Sequence, residues 1–154
     1  MADTLPTDVT PTATDALHAT LDEPFEDALA RVQVEHEIAG FETVTVTRLD
    51  HLIEAVLDEE FERHALLIIC HAEVAQRTLE IDSALAGLLP CTTAVYERPD
   101  DDLVHVHHFS ATKAMRDLGC APDDEAVADL VALTGDRMTE VWENIERAAA
   151  TGAD

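Results

Sequence analysis

"LLIICHAEVAQRTLE", residues Leu66 to Glu80, decides the fold, because it passes without a break from an apolar strand into an amphipathic helix. The run "HALLIIC" (64–70) is continuously apolar, as expected for a strand covered on both faces, so we place it inside a sheet. From Ala72 to Leu79 the apolar residues fall at helical spacing. Cys70 and His71 stand side by side at the junction, which makes this strand end the first candidate site.

The chain before this stretch predicts two strands and two helices. "ALHATLD" (16–22) predicts a first strand, and apolar residues at helical spacing predict a helix from Pro24 to Ala39 that stops at Gly40. "FETVTVTRL" (41–49) alternates and is rich in β-branched residues, which favours a strand. Asp50 is then expected to cap a short helix.

The chain after it predicts a hairpin and further helices. "CTTAVYER" (91–98) and "LVHVHHF" (103–109) flank "PDDD", which is a turn signal. Residues 112–118 predict a short helix, and one apolar face from Asp124 to Ala150 predicts a long one. The order β-α-β-α-β-α-β-β-α predicts an α+β fold, a two-layer sandwich of a mixed β-sheet and helices.

Length and composition favour one domain in an acidic chain. With 154 residues, 47% of them hydrophobic, we expect a single domain over residues 15–150, a flexible acidic arm over 1–14 and a short tail over 151–154. Acidic residues outnumber basic ones 33 to 9, for a formal charge of -24. An acidic tail, a surface for polycations and adaptation to molar salt are the alternatives, and the even spread of acids favours halophilic adaptation.

The same composition limits partners and location. No basic stripe with interleaved aromatic residues is present, which argues against nucleic acid. The first fifteen residues lack a signal-peptide pattern and no long apolar run occurs, so we expect no membrane association and a cytoplasmic location. Three irregularly spaced cysteines, Cys70, Cys91 and Cys120, do not form a disulfide framework and are expected to be thiols.

Four sequence features carry a resemblance to a known family: Gly40-Phe41, "LLIIC" ending at Cys70, "EVAQRTLEID", and "GLLPCTTAVYE". Over roughly residues 25–150 the chain resembles the family catalogued as domain of unknown function 302. The resemblance implies a fold of the TATA-binding-protein-like type, commonly dimeric, and no established activity. The family usually continues its first cysteine with Asn and often Pro, whereas His71 and Ala72 follow here, so its local turn is not carried over.

Cys70 and the hairpin supply the candidate ligands. Cys70 precedes a helix N-terminus, where unpaired backbone N–H groups and a protonated His71 would stabilise its thiolate and lower its pKa. The alternative is a buried cysteine without chemical reactivity. If the turn is centred near Asp100, Cys91 shares one sheet face with His105 and His107, and the valines of the second strand face the core. A slip of one residue would separate them.

Thiols and imidazoles together suit Zn(II), Cu(I) or a haem iron. The predicted ligand-binding and metal-binding residues are Cys70, His71, Cys91, His105 and His107. The alternative for the two hairpin histidines is a solvated polar face. His36 is expected to be a core histidine and Trp142 a core or dimer anchor, whereas His18, His51 and His64 are expected to be solvated.

Three functions follow as hypotheses. The first is a cytoplasmic homodimeric binding protein that holds a small ligand, soft metal ion or haem at a Cys/His cleft. The second is a thiol-dependent redox or sulfur-carrier protein with Cys70 as nucleophile and Cys91 as resolving partner. The third is a structural or regulatory dimer without chemistry. No G-x-S-x-G elbow or phosphate-binding loop occurs, which weighs against an enzyme.

Overall fold

The computed structural model describes residues 16–150 and contains one five-stranded sheet. Its strands are β1 (Ala16–Leu21), β2 (Phe41–Arg48), β3 (His64–His71), β4 (Cys91–Glu97) and β5 (Val104–Phe109). Their spatial order is β1-β5-β4-β3-β2, and every neighbouring pair is antiparallel. The predicted two-layer α+β architecture is confirmed, but the sheet is antiparallel throughout instead of mixed. The helix after β1 leads to the opposite edge of the sheet, so it forms no parallel crossover between neighbours.

Five α-helices and one 3₁₀ helix complete the fold. They are α1 (Phe25–Ile38), α2 (Leu49–Leu57), α3 (Ala72–Ile81), the 3₁₀ helix (Ser83–Leu88), α4 (Ala111–Asp117) and α5 (Glu125–Ala150). Each predicted element is present within a few residues of its expected bounds. The predicted arm over 1–14 and the tail over 151–154 lie outside the described residues.

The core lies between one face of the sheet and helices α1 and α5. It contains Phe25, Val32 and Phe41, with the sheet residues Leu67, Ile69, Val95 and Val106 and the α5 residues Val141, Trp142 and Ile145. Burying a side chain of this size contributes roughly 1.5–3 kcal/mol, so this layer supplies most of the driving force for folding. Trp142 is 3% exposed, which confirms it as a core residue.

Strand β3 buries only one of its faces. Ala65, Leu67 and Ile69 have no exposed surface, whereas Leu66 and Ile68 between them remain partly exposed. β3 is an interior strand between β4 and β2, as predicted. The expectation that both of its faces are covered is wrong, because the helices of the core pack against one face of the sheet.

The predicted hairpin register is wrong by one residue. Val95 pairs with Val106 and Tyr96 with His105, so the turn is centred half a residue later than expected. This register places Val95 against Val106 in the core, whereas the predicted one would have placed Val95 against a histidine. The carboxylate of Asp101 accepts a hydrogen bond from the Leu103 N–H at 2.9 Å within the turn.

Two local expectations concern the ends of β2. Gly40 has a φ of +98°, which confirms it as the stop after α1, and an added Cβ would lie 3.1 Å from His71 Nε2. Asp50 is not the cap of α2, because that helix begins at Leu49. Its carboxylate instead accepts two hydrogen bonds from Arg48, at 3.0 and 2.8 Å.

Candidate functional site

The side chains that alternate with the core form the outer face of the sheet. Four of the eight histidines lie on this face, together with the one tyrosine. The outer face includes His18, Thr20, His64, Leu66, Ile68, Ala94, Tyr96, His105 and His107. It is the richest concentration of titratable side chains on the described part of the sheet.

A row of nearly parallel rings crosses four strands of this face. The rings of His18 on β1 and His105 have centroids 5.3 Å apart, and His105 stacks on Tyr96 at 5.3 Å. Tyr96 in turn stacks on His64 at 5.1 Å. His18 meets His105 edge to edge through one nitrogen of each ring, so the row offers ring edges and nitrogen atoms to a ligand instead of an aromatic platform.

Hydrogen bonds define which nitrogens carry protons in this row. The carboxylate of Asp101 lies 2.9 Å from His105 Nε2, and this hydrogen bond holds the pKa of Asp101 below its ordinary value. An ionised carboxylate only accepts, so His105 Nε2 carries a proton, and in the neutral form of the ring the lone pair is on Nδ1. His18 Nε2 lies 3.0 Å from His105 Nδ1 and donates a hydrogen bond to its lone pair.

His18 and His107 are neutral at pH 7. Burial, followed by the neighbouring His107 and His105, lowers the pKa of His18. Burial, followed by Arg98 and His105, lowers the pKa of His107. The neutral imidazole is the form that binds metal ions.

His107 lies directly opposite His18 on the neighbouring strand, with ring centroids 5.0 Å apart. Its Nδ1 is 3.3 Å from the Tyr96 hydroxyl, while its Nε2 is buried and has no hydrogen-bond partner among the described residues. The guanidinium of Arg98 donates to the same hydroxyl at 3.4 Å. We call His18, His105 and His107 the imidazole cluster.

The structure separates the five predicted ligands. His105 and His107 lie together on the outer face, but Cys91 pairs with Ile69 and faces the core. His71 pairs with Phe41 on the core side, where their rings meet edge to face at 5.4 Å. These two residues therefore do not share a sheet face with the imidazole cluster.

Cys70 lies on the outer face, at the opposite end of β3 from the stacked rings. It pairs with Glu42 of β2, whereas His64 at the other end pairs with Tyr96. Six residues of strand separate Cys70 from His64, roughly 20 Å at about 3.3 Å per residue. The predicted Cys/His cleft is therefore not formed as one site.

The three thiols differ in their surroundings. Burial, followed by the charge of Cys70, raises the pKa of Cys91 to about 11. This thiol is protonated at neutral pH and makes a poor resolving nucleophile. Cys120 is exposed in the loop before α5.

A second polar group lies in the core. His36 Nδ1 donates to the Val32 carbonyl at 2.7 Å, and its Nε2 lies 2.9 Å from the Thr93 hydroxyl. That hydroxyl lies 3.0 Å from His108 Nδ1. Burial lowers the pKa of His36 to about 4 and that of His108 to about 3, so both rings are neutral. The expectation of a satisfied core histidine at position 36 is confirmed.

The outer face can hold a ligand through nitrogen lone pairs. Within residues 16–150, no three His, Cys, Asp or Glu side chains are already grouped as metal ligands. The contact between His18 and His105 brings two imidazole nitrogens to one point, and Asp101 fixes the tautomer of one of them. An imidazole oriented by a carboxylate is a common feature of metal sites in proteins.

Sequence reasoning missed three members of this site, namely His18, Tyr96 and Asp101. His18 joins the site because β1 pairs with β5, and their contact spans 87 residues of chain. Nothing local in "ALHATL" indicates that partner. The alternation of "LVHVHHF" did place His105 and His107 on one face, and the turn sequence "PDDD" was the only local signal for Asp101.

Comparisons with known proteins agree with this fold. No helix among residues 16–150 is long and apolar enough to cross a membrane. No curated protein matches the chain. A crystal structure of the uncharacterized conserved protein DUF302 from Bacillus stearothermophilus is similar with a TM-score of 0.73 and 14% identity, over 86% of this chain and 99% of that one. The model of the family described as domain of unknown function DUF302 matches residues 17–145, and the chain therefore belongs to this family.

Proposed function

We propose that this protein is a cytoplasmic binding protein that holds a transition-metal ion at the imidazole cluster. The observation that carries the proposal is the separation of 3.0 Å between His18 Nε2 and His105 Nδ1. Two nitrogens bound to one zinc ion at about 2.0–2.1 Å lie roughly 2.8–3.4 Å apart when the angle at the metal is between about 90° and 109°. The separation therefore matches, and zinc would replace the hydrogen bond between the two nitrogens: His18 would carry its proton on Nδ1, and both rings would turn so that their lone pairs meet at the ion.

The surroundings suit a cation. Both His18 and His107 are held neutral, and neutral imidazole suits Zn(II), Cu(II) and Ni(II) far better than Mg(II) or Ca(II). His105 Nδ1 lies against His18 Nε2 and the His105 ring stacks on Tyr96, which favours an ion over a haem macrocycle.

The test is zinc binding by the full chain in molar KCl with an excess of Mg(II), which occupies carboxylate sites but not imidazole sites. We expect one equivalent of Zn(II) per chain, lost in His18→Ala and in His105→Ala. His51→Ala is the matched control, since the side chain of His51 is 65% exposed and lies outside the imidazole cluster. Absence of a zinc equivalent in the wild type, or equal binding by all three variants, would contradict the proposal.

Elemental analysis and the absorption spectrum of protein purified without chelator would show which metal or haem is resident. An empty protein whose imidazole variants lose only packing stability would favour the structural or regulatory dimer. The thiol-dependent alternative has less support, because burial keeps the Cys91 thiol protonated. Cys70 would then have to act without Cys91 as its resolving partner.

Two further expectations belong to the proposal. We propose that the acidic composition is a halophilic adaptation, since molar salt shortens the Debye length to about 3 Å and screens the repulsion among acidic side chains. The melting temperature should then rise steeply from dilute buffer to molar KCl.

We also propose a homodimer, consistent with the exposed apolar side chains of Leu52, Val56 and Phe61. Light scattering in molar KCl measures the molar mass of the particle and so tests the dimer.

A further inference from the structure

His36, Thr93 and His108 form a buried series of hydrogen bonds, and its geometry determines which atom donates each proton; we call this the proton order. A backbone carbonyl only accepts, so His36 Nδ1, which contacts the Val32 carbonyl at 2.7 Å, carries the proton. The neutral ring then has its lone pair on Nε2, which accepts from the Thr93 hydroxyl at 2.9 Å. The hydroxyl has used its only proton and therefore accepts from His108 Nδ1 at 3.0 Å.

This order leaves His108 with an unprotonated Nε2. The ring is 2% exposed, and its Nε2 has no hydrogen-bond partner among the described residues. A buried acceptor without a donor costs about 1–3 kcal/mol. The series of hydrogen bonds that begins at the Val32 carbonyl therefore ends at His108 Nε2, a buried acceptor that receives no hydrogen bond.

A buried hydrogen-bond donor that also lacks a partner lies beside His108. Trp142 of α5 is 3% exposed, and its Nε1–H has no partner within residues 16–150. The centroids of the Trp142 and His108 rings are 6.2 Å apart. Each nitrogen lies at the edge of its ring, and two hydrogen bonds of about 2.9 Å span up to roughly 5.8 Å, so one small molecule reaches both nitrogens when these ring edges face each other.

We propose that His108 Nε2 and Trp142 Nε1 form an internal binding site for one water molecule. The ligand must donate one hydrogen bond to the imidazole and accept one from the indole, which is the pattern that a single water supplies. A neutral ligand fits better than an ion, because both neighbouring histidines are neutral and would leave a buried charge without compensation. The site joins helix α5 to the sheet and is separate from the imidazole cluster, since His108 faces the core and His107 faces outward.

The experiment is NMR on the isotopically labelled full chain in molar KCl. Trp142 is the only tryptophan, so its indole N–H resonance needs no further assignment. We expect a cross-relaxation signal from water to this proton, and long-range nitrogen spectra that show His36 and His108 protonated at Nδ1. A missing water signal, or His108 protonated at Nε2, would overturn the site. A direct hydrogen bond from Trp142 to His108 would do the same.

Two variants test the proton order separately. Thr93→Val removes the hydroxyl that lies between the two rings, so we expect the nitrogen shifts of His36 Nε2 and His108 Nδ1 to change. Thr134→Val is the matched control, because Thr134 is equally buried in α5 and donates only to its own helix, at Leu130 O, 2.9 Å away. Unchanged nitrogen shifts of both rings in a folded Thr93→Val variant would overturn the proton order.

Discussion

His105 Nε2 lies 2.9 Å from the carboxylate of Asp101, four residues earlier in the hairpin turn. This contact fixes which nitrogen of His105 is free to bind. Asp101→Asn keeps an acceptor of the same shape but removes its negative charge, so we expect zinc affinity to fall by about 10–100-fold. Titration of the variant against wild type measures it, with Asp100→Asn as the neighbouring control. Equal affinities in Asp101→Asn and wild type would exclude a positioning role for Asp101.

Stability should fall as the pH drops from about 7 to 5, because the core holds two neutral histidines. Burial lowers the pKa of His36 from 6.5 to about 4, so between these values the unfolded chain binds more protons than the folded one. The free energy that neutral His36 contributes to folding is present in full above pH 6.5, the pKa in the unfolded chain. It is lost as the pH falls towards about 4, the pKa in the folded protein. At about pH 5 the loss is on the order of 2 kcal/mol for His36 and similar for His108.

Denaturant unfolding in molar KCl at several pH values measures this loss, since the salt screens the change in overall charge. His36→Gln should remove about half of the pH dependence. His51→Gln is the control and should leave it unchanged, because His51 is exposed. A flat profile in the wild type would show that the core histidines do not titrate as their burial requires.

The three thiols should react with an alkylating agent in order of exposure and acidity. Cys91 is 3% exposed and burial raises its pKa to about 11, so in the folded protein it should remain unmodified. Cys120, which is exposed, should be modified first. Mass spectrometry after timed alkylation gives the order, and denatured protein provides the control in which all three react. Modification of Cys91 as fast as Cys120 would contradict its burial.

The ion pair between Arg48 and Asp50 should contribute measurably to stability. Asp50 is 9% exposed and accepts two hydrogen bonds from Arg48 and one from the His64 N–H. Asp50→Asn should therefore cost about 1–3 kcal/mol. Glu73→Gln is the control, because its partner Arg77 is 47% exposed, and should cost less than about 0.5 kcal/mol. Unfolding free energies in molar KCl compare the two, and equal losses would contradict the role assigned to Asp50.

Sequence patterns were sufficient for the elements and for the layered fold. The strands and helices follow from local periodicity, which α5 shows most clearly with buried residues from Val127 to Ile145 on one face. The pairing of β1 with β5 was not predictable, because "ALHATL" carries no local mark of a partner 87 residues away. His18 was not assigned to the site for that reason, and Cys91 was assigned to the wrong sheet face because a one-residue change in the hairpin register exchanges the two faces of β4 relative to β5.

The alternation along β5 has a consequence for how this segment tolerates mutation. Val104, Val106 and His108 are enclosed by the core, while His105 and His107 face the other way. In a saturation scan, selection for folding should restrict the first set to a few side chains each. Selection for zinc retention should instead act on the second set, so that His107 and His108, although adjacent in sequence, respond to different screens.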